Sequence, residues 1–182
     1  MSNNIRLYFA YGSNLNLVQL HQKCSNPSVL GIARLPGHRL GFHGYSSVWD
    51  GAVETVIPDN QSEVWGVLYQ LTAADWEQLD NHEDVRDNGT GTYFHYPVEV
   101  YNEQQELATA TIYKKALVGP AELPSTEYLT MIVQGAIEQG LPAEYLASLQ
   151  KLKSKGAIYA VPHRRRSSTT AIVTEDCSGC SS

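Results

Sequence analysis

Long apolar runs, a disulfide framework and an excess of positive charge are all missing from this chain of 182 residues. Without a long apolar run, the sequence offers no candidate for a membrane-spanning helix, and its first residues lack the pattern of a secretory signal. The net charge of −6 argues against general affinity for nucleic acid or for an anionic membrane. We therefore expect a cytoplasmic protein with neither kind of partner.

Residues that bind metals or form redox centres are sparse as well. Three cysteines are too few for a disulfide framework, and Cys24 falls in a predicted helix as an ordinary reduced thiol. Cys177 and Cys180 form CSGC, but no second ligand pair accompanies this motif, so a functional site is not favoured there. The histidines show neither HxH nor HxxxH spacing, and we expect no metal site.

Strand and helix signals fill most of the remaining sequence. Predicted strands cover residues 5–11, 28–35, 38–44, 52–58, 63–71, 93–102 and 106–116. Predicted helices cover residues 15–24, 73–81, 125–140 and 142–156. Because strands and helices do not alternate regularly, we expect an α+β fold. It would be a small mixed β-barrel of about six to seven strands with three or four peripheral helices. The domain would span residues 1–161, with a flexible tail at 162–182.

The stretch YFAYGSNLN, residues 8–16, places a turn between the first strand and the first helix. Such a turn leaves backbone N–H groups without partners, and Gly12 permits close approach of a ligand. A carboxylate could be held there, with Ser13 and Asn14 adding side-chain hydrogen bonds. Alternatively, Ser13 or Asn14 simply caps the helix. The turn matches neither GxGxxG nor a Walker loop, and the chain has no GxSxG motif.

Acidic residues cluster in LDNHEDV, residues 79–85, where a predicted helix ends before a glycine-rich loop. Repulsion between neighbouring carboxylates suits a general base that later acts as an acid, and Glu83 is the candidate. His82 and His95 are alternative bases. Acidic helix ends also occur for solubility alone, so the spacing by itself does not decide.

Several stretches together resemble the γ-glutamylcyclotransferases, within a wider fold that includes AIG2-like proteins. They are, in family order, YFAYGSNLN (8–16), WDGAVETVIP (49–58), EVWGVLYQL (63–71), LDNHEDV (79–85) and PSTEYLTMIVQGAIEQGLPAEYLASL (124–149). These stretches cover most of residues 7–152, and their combination is much more specific than YGSN alone.

The resemblance implies a small β-barrel that cleaves γ-glutamyl amino acids to 5-oxoproline and a free amino acid, without a cofactor. It also implies that Glu83 is the catalytic acid/base. The residues implied in substrate binding are Tyr8, Phe9, Ala10, Tyr11, Gly12, Ser13, Asn14, Leu15, Tyr93 and Tyr128. The match at Tyr93 is less direct, because the preceding loop is lengthened by DNGTG.

Other functions on this fold stay open at this point. The substrate could instead be a γ-glutamylamine, glutathione or a biosynthetic intermediate. A non-catalytic binding or signalling protein is the alternative of another class, although it would have no need for a carboxylate at position 83. The sequence does not decide between a monomer and a homodimer.

Overall fold

The computed structural model describes residues 6–163. Its strands are β1 (Leu7–Ala10), β2 (Ser28–Ser46), β3 (Gly51–Gln70), β4 (Tyr93–Asn102) and β5 (Leu107–Lys115). Its helices are α1 (Leu17–His21), α2 (Ala73–His82), α3 (Thr126–Glu138) and α4 (Ala143–Gln150), and a short 3-10 turn covers Ser13–Leu15.

The five strands close into a barrel in the order β1–β3–β2–β4–β5. Neighbouring strands are antiparallel except β1 and β5, which meet in parallel where Tyr8 lies beside Thr111. The predicted α+β class and the predicted barrel are confirmed, with five strands instead of six or seven.

The lower strand count arises because two pairs of predicted strands each continue as one long strand. Pro36 and His38 of β2 pair with Glu63 and Pro58 of β3, so the register shifts between them. Four residues of β3, 59–62, therefore lie opposite Gly37 alone. This is a bulge in the ladder, and the strands run on through it.

The starts of two helices follow their capping residues. Thr72 and Asp75 form the predicted capping box of α2, and the Ser125 side chain caps α3 as predicted. The last helix is shorter than its pattern indicated. It ends at Gln150 and not at Gly156, and Lys155 instead exchanges backbone hydrogen bonds with the start of α3.

Two buried clusters divide the core. One draws residues from all five strands and fills the barrel, with Phe9 and Tyr11 of the first strand region pointing into it. The other contains Tyr8 and Ala10 from the opposite face of β1, together with Trp76, Leu129 and other residues of the helices. The alternation along β1 therefore places successive side chains in different clusters.

The predicted tail, 162–182, lies outside the described residues except for Pro162 and His163, and Cys177 and Cys180 lie outside them too. The division into a domain and a tail stays a prediction. Between residues 6 and 163, no helix has the length and apolar character needed to cross a membrane. Within the same range, no group of three or more acidic, histidine or cysteine side chains is placed to hold a metal ion.

Candidate active site

The turn after β1 is buried, and α3 packs against its backbone. Asn16, and not Ser13 or Asn14, caps α1, because its side chain accepts a hydrogen bond from the Gln19 N–H at 3.2 Å. Gly135 of α3 packs directly on the turn, since a Cβ at Gly135 would lie 2.4 Å from the backbone nitrogen of Asn16. The backbone of the turn is thereby fixed, and the side chains of Ser13 and Asn14 are not needed as caps.

The carboxylate of Glu54, a residue of β3, lies against the turn at Gly12 and Ser13. Its Oε1 accepts a hydrogen bond from the Ser13 backbone N–H at 2.8 Å, and its Oε2 accepts one from the Tyr128 hydroxyl. Gly12 allows this approach, because a Cβ at that position would lie 2.0 Å from Glu54 Oε1. The anion bound at the turn is therefore a side chain of the protein itself.

Glu83 reaches the same turn from the other side of the site. It follows α2 as the C-terminal cap, and its Oε1 accepts hydrogen bonds from Lys23 Nζ at 2.8 Å and Asn14 Nδ2 at 3.1 Å. Lys23 Nζ also donates to Asn14 Oδ1 at 2.8 Å. The acid at position 83 is thus placed within a hydrogen-bonded group of three residues that are distant in sequence.

A small cavity lies between the two carboxylates. Its volume is about 20 Å³, enough for about one water molecule. The residues that line it are Tyr8, Tyr11, Gly12, Asn14, Glu54, Glu83, Tyr93 and Tyr113. Two carboxylate residues and four tyrosines therefore line one small space.

The tyrosines around this cavity are neutral hydrogen-bonding groups. Burial raises the pKa of Tyr8, Tyr11 and Tyr93 well above the ordinary phenol value, and the nearby charges of Glu54 and Glu83 raise it further. Each hydroxyl therefore keeps its proton at neutral pH and can donate it to a ligand or to a neighbouring acceptor.

A second group of polar residues lies on the outer side of α2. Asp80 Oδ1 accepts hydrogen bonds from the Tyr113 hydroxyl at 2.5 Å and pairs with His95 Nε2 at 2.6 Å. Asp80 and His95 line a groove of about 1030 Å³, which Trp76 and Arg6 also border. Tyr113 contributes to both places, since it lines the small cavity and its hydroxyl donates to Asp80.

Six of the residues predicted for the site line the cavity: Tyr8, Tyr11, Gly12, Asn14, Tyr93 and Glu83. Ser13 and Tyr128 reach it indirectly through Glu54. Phe9, Ala10 and Leu15 are fully buried members of the two core clusters, so their place near the turn is one of packing. Of the alternative bases, His95 faces the outer groove, and His82 is exposed.

Sequence reasoning missed Glu54 and Tyr113, which line the cavity, and Lys23, which binds Glu83. The signal for Glu54 is an acid inside the apolar run AVETVI, because a buried strand position rarely holds an unpaired carboxylate. Lys23 gives no comparable signal. It lies near the end of a short helix, and its partner is 60 residues away in sequence.

Comparisons with known proteins match most of the chain. A model of the AIG2-like family matches residues 63–149. The γ-glutamylcyclotransferase of Homo sapiens is 32% identical over 151 residues, and that of Bos taurus is 34% identical over 154 residues. Each match covers 81% of this chain and 78% of the relative. A solved γ-glutamyl cyclotransferase has a TM-score of 0.79 at 29% identity, covering 86% of this chain and 92% of the other. YkqA of Bacillus subtilis shares the fold, with a TM-score of 0.71 at 24% identity over 85% of this chain and 57% of that one.

Proposed function

This chain belongs to the γ-glutamylcyclotransferase family, and on that premise we propose that it converts a γ-glutamyl amino acid or a related γ-glutamyl amide to 5-oxoproline and a free amine. The observation that carries this proposal is the position of Glu83. Glu83 lines the small cavity, and its carboxylate is joined to the turn by a hydrogen bond from Asn14.

Glu83 acts as the general base and then as the general acid. The α-amine of the substrate arrives as an ammonium, which cannot attack a carbonyl until a base removes a proton. Lys23 and Asn14 hold one oxygen of Glu83 in place, which leaves the other oxygen for this proton. The freed amine attacks the γ-carbonyl and closes a five-membered lactam. Glu83 then returns the proton to the leaving amine, which also takes the second proton that the attacking nitrogen loses on becoming the lactam N–H.

Tyr8 is the group best placed to stabilise the developing oxyanion. The Ser13 N–H is already bonded to Glu54, so it is not available for this purpose. Asn14 accepts from Lys23 through Oδ1 and donates to the Tyr8 oxygen through Nδ2 at 2.8 Å. Since the Tyr8 hydroxyl accepts that hydrogen bond, its own proton can point into the cavity toward the reacting oxygen.

The fixed turn and the narrow cavity supply proximity. Holding the substrate folded makes the attack intramolecular, which contributes roughly 7–11 kcal/mol in well-oriented reactions. A cavity of about 20 Å³ must widen before a glutamyl group enters. Residues 84–92 connect Glu83 to Tyr93, both of which line the cavity, and the middle of this loop is exposed. Movement of that loop is the simplest way to admit the substrate.

Incubation of the protein with γ-Glu-Ala, γ-Glu-ε-Lys and glutathione tests the activity. We expect 5-oxoproline from at least one of them, measured by mass spectrometry against a reaction without enzyme. A Glu99→Gln variant serves as a control, because Glu99 is an exposed residue of β4 away from the site. If none of the three compounds yields 5-oxoproline, the proposed activity is wrong.

A further inference from the structure

Glu54 is a buried carboxylate that the reaction above does not use. It is 8% exposed, and both of its oxygens are held, one by the Ser13 N–H and one by the Tyr128 hydroxyl. A carboxylate locked in this way is poorly suited to exchanging protons with a substrate. Its role in the site must come from its charge and from the space that it fills.

The space that Glu54 fills is the anion-binding part of the turn. Its Oε1 lies 2.8 Å from the Ser13 nitrogen and so close to Gly12 that even a methyl group would collide with it. A substrate carboxylate cannot occupy the same donor while Glu54 is there. The Glu54 carboxylate itself fills part of the site, and the cavity that remains beside it is correspondingly small.

The charge of Glu54 is not neutralised by an ion pair. Among residues 6–163, the ion pairs involve Glu83, Glu63, Asp84 and Asp80, and none involves Glu54. Lys115 attracts Glu54 electrostatically, but the two side chains are too far apart to form an ion pair. The Nζ of Lys115 lies instead 5.5 Å from the centre of the Tyr93 ring. A buried carboxylate that borders a cavity without a cation of its own favours a cation in that cavity.

The substrate brings such a cation in its ammonium group. We propose that Glu54 replaces the substrate's α-carboxylate on the turn and anchors the substrate's ammonium, so that the enzyme also accepts 4-aminobutyryl amides, which have no α-carboxylate. Glu54 is then the specificity-determining residue of the site. This inference rests on the proposed function, since it assigns the same reaction to a wider class of γ-amino amides.

The additional reaction balances in the same way as the first. The ammonium nitrogen of the 4-aminobutyryl group gives a proton to Glu83 and forms a bond to the carbonyl carbon. The amide C–N bond breaks, and the departing amine takes the proton from Glu83 together with the second proton that the attacking nitrogen loses on becoming the lactam N–H, so that it leaves as an ammonium. The products are 2-pyrrolidinone and the free amine, with no oxidant, reductant or water consumed.

A matched pair of substrates tests the proposal, namely γ-Glu-Ala and 4-aminobutyryl-Ala, which differ only in the α-carboxylate. Alanine release gives kcat/KM for each. If the turn held the α-carboxylate, its removal would cost about tenfold or more, because hydrogen bonds to a charged group are worth that much. We expect the wild-type preference for γ-Glu-Ala to be smaller than about tenfold. A preference of tenfold or more overturns the proposal.

Variants of Glu54 show whether this residue sets the preference. Glu54→Ala opens the Ser13 N–H, so the preference for γ-Glu-Ala should rise by about tenfold or more. Glu54→Gln keeps nearly the same shape and should lower kcat/KM for 4-aminobutyryl-Ala by about 10- to 100-fold through loss of the ammonium anchor. The second variant decides if the first does not fold. An unchanged preference in Glu54→Ala, or an unchanged kcat/KM for 4-aminobutyryl-Ala in Glu54→Gln, contradicts the proposal, and the Glu99→Gln control should match wild type in both.

Binding measurements separate this inference from the proposed function. If the wild type releases alanine from neither substrate and forms no 5-oxoproline from γ-Glu-ε-Lys or glutathione, the proposed activity fails. The affinities of the Glu83→Gln protein for the two compounds, measured by calorimetry, then decide the inference on its own. Affinities that differ by less than about tenfold support it. A larger preference for γ-Glu-Ala, or no binding of 4-aminobutyryl-Ala, overturns it.

Discussion

Asp75→Ala tests how the start of α2 is fixed to the rest of the molecule. Asp75 is 1% exposed, and its Oδ2 accepts hydrogen bonds from the Thr72 N–H at 3.3 Å and the Thr72 hydroxyl at 2.7 Å. Its Oδ1 accepts the backbone N–H groups of Ser25 at 2.6 Å and Asn26 at 3.3 Å. One carboxylate therefore joins the capping box of α2 to the segment that follows α1.

The size of the loss follows from these bonds. Loss of a helix cap costs about 1 kcal/mol. Two backbone N–H groups lose their acceptor, at about 1 kcal/mol each. The free energy of unfolding should therefore fall by about 3 kcal/mol, and Tm by about 6–12 °C for a chain of this size. Chemical denaturation followed by circular dichroism, together with calorimetry, measures both.

A matched control and the pH dependence sharpen the test. Asp59→Ala removes two similar hydrogen bonds in the solvent-facing bulge of β3 and should cost less than about 1 kcal/mol.

Burial alone would raise the pKa of Asp75, but hydrogen bonds from Thr72, Ser25 and Asn26 outweigh it and hold the pKa below its usual value.

Because the folded-state pKa is lowered, the ionised carboxylate contributes stability above about pH 4, and this contribution is lost as the pH falls through the folded-state pKa. The stability deficit of Asp75→Asn should therefore be largest near pH 7 and should shrink in acid. The reasoning is refuted if Asp75→Ala costs under about 1 kcal/mol, or no more than Asp59→Ala.

Three further substitutions or reactions probe the site and its surroundings. Gly12→Ala places a Cβ 2.0 Å from Glu54 Oε1, so the free energy of unfolding should fall by about 1–3 kcal/mol and the rate of lactam formation should fall too. Wild-type values of both quantities would contradict this packing. Lys23→Met removes the donor to Glu83 and should lower kcat/KM by about 10- to 100-fold, whereas an unchanged value would show that this ion pair is dispensable. Burial raises the pKa of the Cys24 thiol to about 12, so iodoacetamide at pH 8 should label the Cys24 peptide far more slowly in the folded than in the unfolded protein, and equal rates would contradict that burial.

Local signals in the sequence predicted the features that depend on neighbouring residues. Thr72 and Asp75 have the spacing of a capping box, and Ser125 precedes a regular apolar stripe, so both helix starts were predictable. The barrel followed from the number and order of strand signals. The count of strands was too high because Pro36 and Gly37 in β2, and Pro58 with the polar residues 59–62 in β3, look like breaks, whereas the pairing of β2 with β3 continues past them.

The arrangement of the site depended on contacts that no local pattern contains. Asn14 and Glu83 were predicted individually, but their hydrogen bond joins positions 69 residues apart. The part played by Glu54 was least accessible, because the turn was expected to bind an outside anion. The structure fills that position with a carboxylate from β3, and only the fold brings the strand and the turn together.

The central claim is that Glu83 moves the proton in lactam formation, and Glu83→Gln tests it most directly. The variant should bind substrate within a few-fold of wild type in calorimetry, while kcat for lactam formation should fall by about 10²- to 10⁴-fold. Glu77→Gln, an exposed position on the same helix, should behave as wild type in both measurements. Turnover by Glu83→Gln at the wild-type rate would contradict the account.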